Sequence, residues 1–206
     1  FISFFPLLKE SIILEINDGE SFKSLKTISF LTDQLIKHRA EKKSLLINLG
    51  GGVVSDLGGF LASVFNRGIN YVNIPTTLLS QVDASIGGKT GVNFNHVKNK
   101  LGFFYYPRLV IVLPVFLKTL HQNELVSGFG EIYKYSLIND SHMWSLLKKM
   151  EFQLDSNLEK LISRCIIIKD NIVKKDMFDN NIRKVLNFGH TVGHAIESVY
   201  MNDSKF

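Results

Sequence analysis

A single cysteine, Cys165, rules out any disulfide within the chain. It sits in the apolar run Cys165-Ile166-Ile167-Ile168, where a buried core thiol is expected, and a reducing cytoplasm fits. No apolar stretch reaches the roughly 20 residues a membrane helix needs, and residues 1–8 lack the basic start of a signal peptide. No membrane partner is therefore expected. Recognition-helix, zinc-finger and RNA-binding signatures are missing, as are internal repeats and low-complexity tracts, so no nucleic-acid partner is expected either. There is no initiator methionine, and the sequence stops at Phe206 soon after a strong helical motif, so it reads as a segment of a longer protein.

Hydrophobic residues make up 45% of the chain, enough to bury a core and to exclude disorder. The net charge of +5 suits an anionic partner, but 24 basic residues are interleaved with 19 acidic ones, so most lysines read as a solvated surface. Residues 44–49 form an apolar run that ends in Gly50-Gly51-Gly52, and residues 53–65 follow with helical spacing: strand, tight turn, helix. A second run, 69–74, ends at Pro75-Thr76-Thr77 before another helical pattern, and a third, 109–113, ends at Pro114. Strands alternating with helices predict an α/β fold with a parallel sheet covered on both faces and ligands beyond the strands' carboxyl ends. From about residue 122 the period is helical throughout, over 124–138, 141–150, 158–175 and 182–199. The expected division is a domain of residues 1–121 and a helical one of 122–206, with a hinge near 120–123.

Several places have the makings of chemistry. The triple glycine after a strand brings backbone N–H groups and a helix N-terminus toward a ligand, which suits a pyrophosphate. In the G-x-G-x-x-G frame from Gly50 the last position is Ser55, so a tight turn with no ligand explains the stretch nearly as well. Asp56 serves either a ribose hydroxyl or the helix dipole. Gly87-Gly88-Lys89-Thr90-Gly91 lacks the earlier glycine of a Walker loop, because Asp83 occupies that position. It reads as a flexible glycine loop with Lys89, followed by Lys98 and Asn99, either anion-binding or merely solvated. His190 and His194, four apart in a glycine-rich helical stretch, share one face. They would chelate zinc together, or divide metal and substrate between them, or be ordinary polar residues. Glu131 and Lys134, one turn apart, read first as a surface ion pair worth about 0.2–0.5 kcal/mol. The small residues Gly128 and Gly130 before the acid leave room for a ligand role.

Taken in order, Gly50-Gly51-Gly52-Val53-Val54-Ser55-Asp56, Pro75-Thr76-Thr77-Leu78-Leu79-Ser80-Gln81-Val82-Asp83, Gly87-Gly88-Lys89-Thr90-Gly91, Glu131-x-x-Lys134 and Asn187-Phe188-Gly189-His190-Thr191-Val192-Gly193-His194-Ala195-Ile196-Glu197 closely resemble the 3-dehydroquinate synthase family of sugar-phosphate cyclases. The resemblance runs from about Asp18 to the chain end. It implies a Rossmann-like N-terminal domain, a helical C-terminal domain and an active site between them. NAD would be held by segment 18–23, with Asp18, Gly19, Glu20 and Lys23. Its other contacts would be Gly52, Val53, Val54, Ser55, Asp56, Thr76, Thr77, Lys89 and Lys98, and Phe116, Leu117, Lys118 and Thr119. Zinc, or cobalt in its place, would be held by Glu131, His190 and a further histidine in a Leu-His-Gly-Glu segment past the end of this sequence, so the chain alone should bind zinc poorly.

By the same resemblance the substrate, a sugar acid phosphate with both a carboxylate and a phosphate, would meet Asp83, Lys89, Asn99, Lys134, Lys169, Arg183, Asn187 and His194. Arg67 would lie near the phosphate, from a neighbouring subunit of a homodimer. Asp179 stands where the family usually has Glu, and Gly130 where Ala is common; neither removes a named ligand. The implied reaction oxidises a ring hydroxyl through NAD, eliminates phosphate, returns the hydride and recloses the ring by an aldol step, with Lys134 and His194 as proton relays. Rival readings are a sister cyclase, an NAD-dependent alcohol dehydrogenase, a basic nucleic-acid-binding module and a catalytically dead scaffold.

Overall fold

A computed structural model describes residues 8–95, 97–148 and 156–200. The first helix, α1 (Leu25–Lys37), starts where Ser24 accepts the Thr27 N–H at 3.3 Å and ends with Lys37 against its carbonyl end. Ile28 and Leu31 form its buried stripe. Strand β1 (Leu45–Gly50) then leads through the glycine turn into α2 (Gly52–Val64), which returns the chain to β2 (Asn70–Pro75). The two strands are parallel, with Leu45 opposite Asn70 and Gly50 opposite Pro75. Strand β5 (Leu109–Val110) adds to the other side of β2, giving the order β1-β2-β5. The parallel Rossmann-like core expected from the sequence is what forms.

Two expectations are corrected here. The glycine-rich stretch around Lys89 is not a flexible loop but the start of an antiparallel ribbon, β3 (Lys89–Phe94) and β4 (Val97–Phe104), with Lys89 opposite Phe104. Gly91 and Gly102 serve close strand approach: a Cβ at 102 would lie 2.2 Å from the Thr90 carbonyl oxygen and one at 91 would lie 2.8 Å from that of Leu101. The third apolar run, expected as a strand over 109–113, pairs only at Leu109 and Val110, although the Ile111 N–H still reaches the Asn73 carbonyl at 2.8 Å.

Helix α2 lies between the sheet and the ribbon, and adjacent glycines let both come near. A Cβ at Gly58 would stand 1.8 Å from Asn48 Oδ1 on β1, and one at Gly59 would stand 2.4 Å from Thr90 Cγ2 on β3. Asn48 in turn donates to the Asn73 side chain at 2.9 Å, and Asn73 donates to the Ser85 carbonyl at 3.0 Å. This buried amide ladder ties two strands to the short π-helical turn Ser80–Ala84 that follows β2.

The rest of the chain is helical, as expected: α3 (Gln122–Asn139), α4 (Ser141–Leu147), α5 (Ser156–Lys175) and α6 (His190–Tyr200). Asp140 ends α3 and caps α4, its carboxylate accepting the Met143 N–H at 2.9 Å. On α5, Leu158, Leu161, Ile162, Cys165, Ile168 and Ile172 repeat at helical spacing and all are buried. They join Phe129, Ile132 and Tyr135 of α3 with Leu78, Val82 and Leu117 from the first half in one core, and Cys165 is the buried thiol expected. The expected continuous helix over 182–199 is broken instead. A 3-10 turn, Ile182–Asn187, ends at Phe188, and Gly189 takes φ 84, a left-handed value that glycine accepts without strain, before α6 begins at His190.

Gly58→Ala is expected to destabilise the protein by about 1–3 kcal/mol, because the buried Asn48 amide cannot withdraw without breaking its ladder. Gly130→Ala, where a Cβ meets nothing within 4 Å, is expected instead to stabilise α3 by about 0.5–1 kcal/mol. Urea unfolding midpoints of the two variants check both signs.

Candidate active site

The turn carrying Asp83 is fixed before Asp83 meets anything. Ser85 N–H and Ser85 Oγ both donate to the Ser80 carbonyl, at 3.2 and 2.7 Å, which gives the π-helical spacing. Thr77 Oγ1 accepts the Ser80 N–H at 3.2 Å and capping is shared with Ser80 Oγ at 2.9 Å. Gln81, fully buried, donates through Nε2 to the carbonyls of Pro75 at 3.2 Å and Leu113 at 3.0 Å. The turn therefore sits at the carboxyl ends of β1 and β2, against the glycine turn: a Cβ at Gly51 would lie 3.0 Å from Thr77 Cγ2, and one at Gly52 would lie 3.4 Å from Ala84 Cβ.

From that position Asp83 anchors a chain of alternating charges. Lys169, from the buried stripe of α5 and only 6% exposed, ion-pairs with Asp83 Oδ1 and also donates to the Asp83 carbonyl at 2.6 Å. Lys134, on α3 and 5% exposed, stands 3.5 Å from Asp83 Oδ2 and ion-pairs with Glu131 one turn earlier. Glu131 Oε1 faces His190 Nε2 at 3.9 Å. The Glu131–Lys134 pair is thus real but buried, not the surface pair that spacing alone favours.

Burial alone would push the Asp83 carboxyl up, but Lys169, Lys134 and the hydrogen bonds it accepts outweigh that and hold it below the usual aspartate range. Burial pulls the Lys169 ammonium down from the ordinary lysine value, with Asp83 opposing. Glu131 moves the other way: burial, and then the Asp83 charge, raise its carboxyl despite Lys134. Tyr135 completes the Asp83 shell, its buried hydroxyl donating to Oδ1 at 2.7 Å.

Glu131 and His190 suit a metal. A carboxylate oxygen and an imidazole nitrogen 3.9 Å apart can both bind one zinc ion with bonds of roughly 2.0–2.2 Å. Among the described residues no third His, Cys, Asp or Glu joins them in a metal-sized group. The α6 backbone places His194 one turn beyond His190; its side chain lies outside the described residues.

The structure also gathers part of the expected cofactor set. Lys23, 4% exposed, donates to Asp56 Oδ2 and Asn99 Oδ1, both at 2.5 Å, and lies 3.9 Å from Glu20 Oε1. Asn93 donates to Glu20 Oε1 at 2.9 Å, so segment 18–23 is laced to the start of α2 and to the ribbon. Burial raises the Asp56 carboxyl against the pull of Lys23. Ser55 is buried with no hydrogen-bond partner for Oγ among the described residues. Val54 folds back over Gly50, whose added Cβ would meet Val54 Cγ2 at 2.5 Å, while Val53 packs partly into the α1–α2 core. Thr76 N–H donates to the Gly50 carbonyl at 2.9 Å. In the 3-10 turn Pro114–Thr119, Leu117 is a core residue, whereas Lys118 and Thr119 are exposed.

Lys89 is exposed and ion-paired with Asp179. Arg183 is 1% exposed, with Nη2 donating to the Gly87 carbonyl at 2.7 Å and Nη1 to that of Met177 at 2.8 Å. Asn187 is exposed at the end of its turn. Arg67 is not brought to this cluster. It follows α2, roughly 18 Å along the helix from the glycine turn, and precedes β2, at the opposite end of the sheet from Asp83. Asn66 (φ 48), Arg67 (φ 57) and Gly68 (φ 101) are all left-handed, and Lys42 donates to all three of their carbonyls. Tyr135 and Lys42 escaped the sequence reading, since a tyrosine among core positions and a lysine before a strand carry no local signal.

Tyr135→Phe is expected to cost about 1.5–3 kcal/mol at neutral pH, the range for a hydrogen bond to a charged group. With the folded-state pKa of Asp83 depressed, this stabilisation is complete above the ordinary value near 3.9 and is lost as pH falls through the folded value. The gap between wild type and variant should therefore persist at about pH 4 and narrow only in stronger acid, as Asp83 becomes protonated in the folded protein; urea unfolding across the acid range measures it.

Comparison with known proteins identifies the family. Residues 13–127 match the family described as 3-dehydroquinate synthase N-terminal, and residues 128–204 match its C-terminal counterpart. The chain is 46% identical over 189 residues to a 3-dehydroquinate synthase of Campylobacter concisus, covering 92% of this chain and 54% of the relative. It thus spans about half the length of the curated relatives it matches. Among solved structures, a 2-epi-5-epi-valiolone synthase from Streptomyces hygroscopicus, with NAD+ and Zn2+ bound, superposes with a TM-score of 0.85 at 29% identity over 91% of this chain and 54% of that one. A 2-deoxy-scyllo-inosose synthase complexed with carbaglucose-6-phosphate, NAD+ and Co2+ gives 0.83 at 29% identity over 93% of this chain and 54% of that one. Both family matches follow in sequence order and together cover nearly the whole chain, so this protein belongs to the 3-dehydroquinate synthase family.

Proposed function

We propose that the full-length protein converts 3-deoxy-D-arabino-heptulosonate 7-phosphate to 3-dehydroquinate and phosphate, a step in aromatic amino acid biosynthesis. The observation that carries the reading is the series Lys169, Asp83, Lys134, Glu131 and His190 beside the glycine turn, its two lysines buried and the others partly so. When bound, NAD supplies transient hydride removal and return, and zinc or cobalt supplies Lewis-acid polarisation of the substrate hydroxyl. Glu131 and His190 hold the metal. Segment 18–23, Asp56 and the turn at Gly52 hold NAD, with Thr76, Thr77 and Lys98.

The substrate carries a carboxylate and a phosphate, so its site needs cations that are charged yet shielded from water. Asp83 keeps Lys134 and Lys169 facing inward at the cost of partly neutralising them. Lys134, between two carboxylates, is placed to pass a proton, with His194 as the second relay. Lys89, Asn99, Arg183 and Asn187 complete the anion contacts, and Arg67 reaches the phosphate from the other subunit of a homodimer. In this reading residues 1–121 carry the cofactor and 122–206 the metal and substrate, the enzyme is cytoplasmic, and it has no nucleic-acid or membrane partner. Among the described residues no helix is long and apolar enough to cross a membrane.

A second reading, a sister cyclase closing a different ring, draws on the two synthases of similar structure. Their 29% identity against 46% for the Campylobacter relative favours dehydroquinate formation. Lys169 and Arg183 add positive charge that a substrate without a carboxylate does not need.

Phosphate release by the full-length protein, with NAD present, before and after chelation of metal, tests the proposal. The expected result is release that requires both, with no net accumulation of reduced cofactor. Accumulating NADH would point to a dehydrogenase, and faster turnover of a neutral sugar phosphate to a sister cyclase.

A further inference from the structure

Between α5 and the turn Ile182–Asn187 the chain forms a short loop that one carboxylate organises. Asp176 is buried at the end of α5. Its Oδ1 accepts the Asn180 N–H at 3.0 Å, and its Oδ2 accepts the N–H groups of Asn181 at 2.6 Å and Arg183 at 3.1 Å. Wrapped round this carboxylate, the loop turns Asp179 into a left-handed conformation, φ 59, from which it ion-pairs with Lys89. The Met177 carbonyl accepts both the Tyr106 hydroxyl at 3.1 Å and Arg183 Nη1 at 2.8 Å. Phe178 meets Phe104 edge-on with ring centres 5.6 Å apart. Arg183 reaches past the loop to the Gly87 carbonyl and lies 5.6 Å from the Phe104 ring.

The contacts outside the loop's own bonds join it to Lys89 and Phe104 of the β3–β4 ribbon, to Gly87 before it and to Tyr106 just after it. The loop is therefore the piece that presents Arg183 and Lys89 together, and its shape depends on three N–H groups converging on one carboxylate. We propose that Asp176 is a positioning residue for the substrate site, acting through the 177–182 loop to set Arg183 and the Lys89–Asp179 pair against Gly87 and the start of β3. The inference rests on the reading of Lys89 and Arg183 as substrate contacts. Asp176 touches no substrate itself; its charge is spent on backbone donors.

Asp176→Asn keeps the shape but turns an NH2 donor toward backbone donors. In the full-length enzyme it is expected to raise KM for 3-deoxy-D-arabino-heptulosonate 7-phosphate by about tenfold with kcat within about twofold, the signature of lost binding common to ground and transition states. Asp176→Glu should recover part of the loss. Asp170→Asn, which removes an exposed α5 carboxylate paired with Lys174, should leave both constants unchanged. A purely structural lesion would lower kcat through the folded fraction and leave KM alone, so an unchanged KM in Asp176→Asn overturns the proposal. If the wild type releases no phosphate, the functional reading fails by itself. Amide hydrogen exchange at Asn180, Asn181 and Arg183 then decides the positioning claim, with selective loss of protection in Asp176→Asn supporting it and retained protection overturning it.

Discussion

Asp83 is placed between two ammonium groups that could not otherwise stay buried. Lys134 and Lys169 come from different helices, and each would carry a large desolvation cost alone in the core beside Ile132 and Cys165. A single carboxylate on a fixed turn offsets that cost for both, and the Tyr135 hydroxyl takes part of its remaining acceptor capacity. The arrangement is not chiefly a source of stability. It keeps positive charge concentrated and desolvated, a setting in which electrostatic interactions are strongest.

That placement depends in turn on the sheet. Asn48 and Asn73 carry the position of β1 and β2 through to Ser85, and the π-helical spacing from Ser80 to Ser85 sets where Asp83 falls. Gly58 and Gly59 let α2 approach the strands and the ribbon closely enough for this to hold. The glycine turn, the Thr76–Thr77 segment and Asp83 share the strand ends, so the proposed cofactor and substrate contacts are built from one backbone frame. The ribbon adds Asn99 to the Lys23–Asp56 pair on one side and Lys89 to Asp179 on the other. A two-stranded element thereby links Lys23 and the start of α2 to the loop after α5.

Much of this was legible from the residues. The apolar runs before Gly50 and Pro75 marked β1 and β2, and the 158–175 periodicity marked α5, because burial on one face leaves a period in the sequence. The ribbon was not visible, since its glycines serve close approach between strands and read locally as a loop. The break at Gly189 was hidden inside a pattern that stays helical in period on both sides. At the site, the order of the motifs pointed to Asp83, Lys134, Glu131 and His190, and the family resemblance to Lys169, but spacing assigned Glu131 and Lys134 to the surface. Only the tertiary fold puts α3 against α5 and the π-helical turn and so buries them. Asp176, Tyr135 and Lys42 act through backbone groups or a buried partner distant in sequence, and no local pattern encodes such a role.

The central claim, that Asp83 compensates a buried lysine charge directly, is tested most directly by a double-mutant cycle of Asp83→Asn and Lys169→Met on unfolding free energy in the full-length protein. The predicted result is a coupling energy of about 2–3 kcal/mol, the upper part of the range for contacting residues in one network. Additivity within about 0.5 kcal/mol, as for residues that do not share partners, would contradict it.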